Sequence, residues 1–264
     1  MAISYRGTGA LFALLLVFAP NAAGAEDAKL AAFKQANAAI REALSHAKTP
    51  PSMKDPAYAK QVSQAFDIGV VDGIKDEPAP AVLAICTEAI RTTTSYLLFG
   101  IQKEDVPDPN PNHAGPQLAE KENANYLRFQ DEVTAAVRFG LPCTARVAEK
   151  MDALVAQLKP SDMTPVRRAG LQQTQQGLVN SVSGGASSIL DSVRPSNRGV
   201  VLTALVRNLD PLTAAMSKAS RQAALNTVDP LLWAPGLSRD EREKLLKVQK
   251  ALNRTDCGRV CAFH

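Results

Sequence analysis

Apolar residues recur at steps of three and four along most of this chain, and that rhythm narrows its folds more than any other feature. In 26–48 the residues Leu30, Phe33, Ala36, Ile40 and Leu44 form a narrow stripe edged by Asn37, with Lys29, Lys34, Arg41 and Glu42 elsewhere. This spacing sets one helical face against a core. Residues 80–101 are the most apolar stretch of the chain after the N-terminal region. Their Thr92, Thr93 and Thr94 also suit a strand, but the pattern runs well beyond strand length, so a central helix is expected. Tyr126, Phe129, Val133 and Val137 share the next face, followed by Val147, Met151, Leu154, Val155 and Leu158, and at the end by Leu245, Val248 and Leu252. "GVVLTALVRNL" at 199–209 has strand-like composition, yet no segment alternates with period two to pair with it, so helix is expected there too.

Punctuation agrees with the rhythm. Asp55 before Pro56, Thr164 before Pro165, Asp210 before Pro211 and Asp229 before Pro230 each place a capping side chain ahead of a proline at the first helical position. Ser238 with Glu241 spells a capping box. Gly140 and Pro142 are expected to end one helix, and Cys143 to open the next. Gly184 and Gly185 each cost a helix about 1 kcal/mol relative to alanine, which marks either a break or a close helix crossing. The expected fold is all-α, a disulfide-stabilised bundle of about eight helices. No repeat of fixed period appears. Residues 26–264 read as a single domain, with the proline-rich 104–116 stretch as the place where it would subdivide.

The N-terminus carries a different pattern. Arg6 precedes an apolar run over 10–20, and Ala23-Gly24-Ala25 supplies the small residues of a cleavage site. Residues 1–25 are therefore expected to be a cleaved signal peptide, since the run is about half the length of a spanning helix. The expectation is a periplasmic or secreted protein with no stable membrane insertion after cleavage. Removing Arg6 takes the formal charge from +4 to +3. With aromatics at 5% and no basic stripe, nucleic acid is excluded as a partner. The core must be built from Ala, Leu and Val.

The four cysteines are Cys86, Cys143, Cys257 and Cys261. An even count in an exported chain points to disulfides. Cys86 lies in the central helix and Cys143 follows Pro142, so a bridge between two packed helices is expected. Closing that loop disfavours the unfolded chain by about 4 kcal/mol. Cys257 and Cys261 would then pair locally, with crossed pairing to Cys86 and Cys143 as the rival arrangement. A second view of the tail makes Cys257, Cys261 and His264 a soft-metal or redox site. Its C-x3-C-x2-H spacing matches neither the haem-attachment nor the thioredoxin motif.

Other candidate sites are sparse. Thr87, Arg91 and Ser95 stand at i, i+4 and i+8 in the central helix, where Arg91 would grip a carboxylate or phosphate in a ligand cavity. The alternative is an ion pair of Arg91 with Glu88, or with Asp131 or Glu132 on the following helix. Asp108, Asn110 and Asn112 resemble a calcium loop, but His113 and Ala119 occupy the positions that require Gly and Glu. His46, His113 and His264 have no G-x-S-x-G serine to serve, and no S-x-x-K, H-E-x-x-H, P-loop or dinucleotide-binding pattern occurs. The expected function is therefore non-enzymatic and without a cofactor: an exported helical protein that binds an envelope protein or a small ligand. A docking role for the Leu30 to Leu44 stripe competes with plain core packing. The alternative function is a thiol-dependent metal-binding or redox protein built on Cys257, Cys261 and His264.

Overall fold

A computed structural model of the chain describes residues 28–46, 50–101, 116–188, 190 and 193–254. Among these residues the regular elements are all helical. They are α1 (Ala28–His46), α2 (Pro56–Ala65), α3 (Ile68–Gly73), α4 (Ala79–Leu97), α5 (Pro116–Arg128), α6 (Gln130–Val155), α7 (Pro165–Ser187), α8 (Pro195–Arg207), α9 (Leu209–Ala214), α10 (Lys218–Leu231) and α11 (Arg239–Leu252), with one 3-10 turn at Pro160–Asp162. Only Phe129 separates α5 from α6, so the bundle has ten or eleven helices where the apolar spacing predicts about eight. The additional ones come from short breaks that apolar spacing does not register. At Asp67, for instance, the side chain accepts from the Gly69 N–H at 2.9 Å and restarts the chain as α3.

Several predicted boundaries hold. Asp55 caps α2 ahead of Pro56, Thr164 caps α7 ahead of Pro165, and both halves of the Ser238–Glu241 capping box form on α11. Two proline signals mislead. Asn208, not Asp210, precedes α9, and Pro230 sits in the last turn of α10, whose N-cap is Ser217. Pro142 does not end a helix either, because α6 runs through it. Proline deprives the Arg138 carbonyl of its i+4 donor, and Arg138 is an exposed residue of that helix. In α4 the threonine run is compatible with helix because its hydroxyls turn back on the helix. Thr87 donates to the Leu83 carbonyl at 2.7 Å and Thr93 to the Ala89 carbonyl at 2.8 Å. Gly185 marks a crossing and no break, since a Cβ there would meet the Leu205 side chain at 3.3 Å.

The buried apolar residues fall into two clusters that share α6. One gathers Phe33, Ile40, Val62, Val82, Ile85 and Tyr96 around Val133, Phe139, Cys143 and Val147 of α6. The other gathers Leu178, Leu202, Leu205, Leu212, Val228 and Leu245 around Leu141, Ala145, Ala148, Met151 and Val155 of the same helix. Val137 packs against both. Helices α4 and α6, on either side of the 104–116 stretch, belong to one cluster, so the apolar packing changes over along α6.

Cys86 and Cys143 form the expected bridge between α4 and α6, with Cα atoms 5.7 Å apart and a sequence separation of 57. Both are buried. Replacing both by serine (Cys86→Ser with Cys143→Ser) should lower the unfolding free energy by about 4 kcal/mol, which urea denaturation of the oxidised parent and the variant will measure.

Candidate functional site

Thr87, Arg91 and Ser95 do not converge on a common point. Thr87 is buried with its hydroxyl on a backbone carbonyl, and Ser95 donates to the Arg91 carbonyl at 3.0 Å. The Arg91 side chain is 64% exposed and meets Glu88 at 3.4 Å, the local ion pair that was the competing expectation. Glu88 also holds Arg41 of α1 at 2.7 Å. Arg41 reaches the Thr92 hydroxyl, which donates to buried Asn37 at 2.6 Å, and Asn37 in turn donates to the carbonyls of Phe33 and Ala65. This chain of bonds satisfies the one polar residue beside the α1 stripe and pins α1, α2 and α4 together. Phe33, Ala36, Ile40 and Leu44 are all buried in the bundle, so the α1 stripe is core and presents no docking face.

Asp131 and Glu132 do not pair with Arg91 either. Buried Glu132 accepts from the Ser52 hydroxyl at 2.8 Å and the Met53 N–H at 2.6 Å, fixing the 50–53 segment, while the Tyr96 hydroxyl donates to the Pro51 carbonyl. Burial first, and then the Glu132 charge, push the Tyr96 phenol up. Gln130 accepts from the Arg194 N–H at 3.0 Å, and Asp131 binds the Arg194 guanidinium and the Asn197 amide. Three consecutive residues at the start of α6 thus tie it to the segment before α2 and to the start of α8.

Cys257, Cys261, His264, His113 and the Asp108, Asn110 and Asn112 loop lie outside the described residues, as do residues 1–25. The Cys86–Cys143 bridge removes crossed pairing with the tail. Among the described residues no group of three or more His, Cys, Asp or Glu side chains is placed to hold a metal ion, and no helix is long and apolar enough to cross a membrane.

A second tie closes the C-terminal half. Glu241 of α11 accepts from the Ser238 N–H and hydroxyl, each at 2.8 Å, and meets Arg198 of α8 at 2.9 Å with both side chains nearly buried. Burial alone would push its carboxyl up, but the Ser238 donors and the Arg198 charge outweigh that and hold it below the usual carboxylate range. Asp131 is held down against burial in the same way by Arg194 and Asn197. A carboxyl lowered in the folded state contributes stability above its unfolded value, and that contribution is lost as pH falls through the folded one. Stability should therefore decline as pH drops from about 4.5 downward, and Glu241→Gln should flatten that decline when melting temperature is followed against pH.

The side chain that stands apart from this packing is Trp233, the single tryptophan of the chain, which is 82% exposed. It follows Leu231 and Leu232, both buried, at the end of α10. The turn that carries it is well held. The N–H groups of Trp233 and Ala234 donate to the carbonyls of Pro230 and Leu231 at 3.2 and 3.1 Å. Arg242 of α11 donates to the Leu232 carbonyl, and Gln249 donates to Asp229 at 3.0 Å. Gly236 adopts a φ of 76°, a left-handed conformation that a side chain would strain. Leu237 and Ala234 pack against the C-terminal cluster, whereas Trp233 and Pro235 are exposed. Periodicity does not single out Trp233, because it lies between helices; the available signal was a lone tryptophan inside a proline-glycine turn, "LLWAPGLS". Trp233→Ala should leave the unfolding free energy within about 0.5 kcal/mol of the parent, and parent tryptophan emission should be quenched freely by iodide.

No protein-family model matches the chain, and no curated protein or solved structure is significantly similar to it.

Proposed function

We propose that the chain is an exported, non-enzymatic binding protein of the cell envelope and that it binds through its surface at the Trp233 turn. The observation that carries this reading is the exposure of the indole on a turn fixed by four hydrogen bonds and a left-handed glycine. Burying a tryptophan gains on the order of a few kcal/mol, so holding one in water forgoes stability that folding elsewhere in this chain secures. Rigidly presented tryptophans are the side chains that contribute most to binding. Export is supported by the signal-like pattern of 1–25 and by a cross-helix disulfide of the kind that persists in oxidising compartments. A ligand site at Thr87, Arg91 and Ser95 is less favoured, because their polar atoms already have partners within α4.

A photo-reactive phenylalanine analogue placed at position 233 tests this in the cells that make the protein. Illumination should yield a discrete protein or lipid adduct, while the same analogue at position 91, exposed on α4 of the other apolar cluster, should not. Equal labelling at both positions would remove the Trp233 turn from consideration.

A further inference from the structure

We infer that the Trp233 turn and the outer side of α11 dock on an anionic phospholipid surface, a proposal that rests on reading the turn as the contact surface. Helix α11 directs Leu245, Val248 and Leu252 into the core, so its apolar face is not available to lie in a bilayer. What remains outside is different in character. Arg242 and Gln249 bond to the segment 229–232, and Leu246 lies between them at i+4 and i−3, on the same side of the helix. Leu246, 47% exposed, therefore borders the turn that presents Trp233.

The charges along α11 are unequal. Arg239 is matched by Glu243, Lys244 by Asp240 and Arg198 by Glu241. Arg242 bonds to a backbone carbonyl. That leaves Arg242, Lys247 and Lys250 of α11 without a carboxylate partner among the described residues, while Asp229, the α10 acid that α11 touches, is bonded to neutral Gln249. The result is one protruding indole at the end of α10 and one exposed leucine on α11, a helix whose unmatched charges are cationic.

This combination suits a lipid headgroup layer better than a protein. A stable protein interface needs about 800 Å² per partner with an apolar centre depleted of charge, and two apolar side chains set among arginines and lysines do not supply that centre. At a bilayer surface they suffice, because indole settles at headgroup level and lysines reach anionic phosphates. Such a contact combines one small insertion with a basic patch, which makes it reversible and sensitive to salt.

With one tryptophan in the chain, emission reports on position 233 alone. The protein isolated from its own cells is mixed with vesicles of phosphatidylglycerol or of phosphatidylcholine. Phosphatidylglycerol should shift the emission to the blue, protect it from iodide and carry the protein into the pellet; phosphatidylcholine, or phosphatidylglycerol in 0.5 M salt, should do so at least tenfold less well. Lys247→Ala and Lys250→Ala should each weaken partition roughly fivefold, and Trp233→Ala should reduce sedimentation with melting temperature unchanged. These variants share the parent's N-terminus, so the apolar run at 10–20 contributes equally to all. The proposal is overturned by phosphatidylglycerol vesicles that leave both emission and sedimentation unaltered, or by binding indifferent to both lysines. It is also overturned by a blue shift that grows with protein concentration in the absence of lipid, which identifies a second copy as the occupant, or by a shift with polyglutamate and none with vesicles, which identifies an acidic protein. In those last two cases the Trp233 turn is still a contact surface; an adduct missing from the cross-linking experiment, by contrast, removes both readings.

Discussion

Helix α6 buries two adjoining apolar stripes, and the rest of the bundle is arranged around that fact. Val133, Ala136, Phe139, Cys143 and Val147 face one cluster, and Leu141, Ala145, Ala148, Met151 and Val155 face the other. A helix with one stripe can lie at the surface of a core, whereas a helix with two must have neighbours on both sides. α1, α3 and α4 pack on one side and α7, α8 and α9 on the other. The polar start of the same helix adds directional contacts to this nondirectional packing. Gln130 and Asp131 hold the entry to α8, and Glu132 holds the segment ahead of α2. The disulfide adds a covalent link on the side of α4.

Several buried polar groups in this protein bond across elements. Asn37, Thr92, Arg41 and Glu88 link three helices of the first cluster, and Arg198 with Glu241 links α8 to α11 in the second. Gln175 does similar work between α7 and the start of α10, donating to the Ala215 carbonyl at 2.6 Å and accepting from the Ser217 N–H at 2.7 Å. Each such group would cost more unpaired than its bond returns, so these contacts favour one arrangement of the helices over others. Arg91 lies outside this interior set, as an exposed ion pair of little energetic weight. Several interior polar side chains are taken up by contacts of the fold, and the largest side chain left in solvent among the described residues is Trp233.

The Trp233 turn also shows how a fold can present an apolar group without burying it. Leu231 and Leu232 anchor the end of α10, Arg242 and Gln249 fasten it from α11, and Gly236 redirects the backbone toward Ser238. Collapse of the indole onto its own core is opposed by all of these at once.

Much of the fold was legible one residue at a time, because helical periodicity, caps before prolines and a Ser238–Glu241 box are local properties of the chain. The α-helical class and the N-caps Asp55 and Thr164 follow from such signals, while the pairing of Cys86 with Cys143 and the core role of the α1 stripe were each favoured over a rival that the structure removes. What the sequence alone left undecided depends on what lies across from a residue. Pro142 sits inside a continuous helix; Gly185 is a crossing because Leu205 meets it; and Asp131 answers Arg194, not Arg91. The surface character of Trp233 belongs to the same group. Its identity and its turn were written in the sequence, but only the packing of α10 against α11 decided that its neighbours face inward while it faces water, since burial is a property of the assembled neighbours and not of the residue.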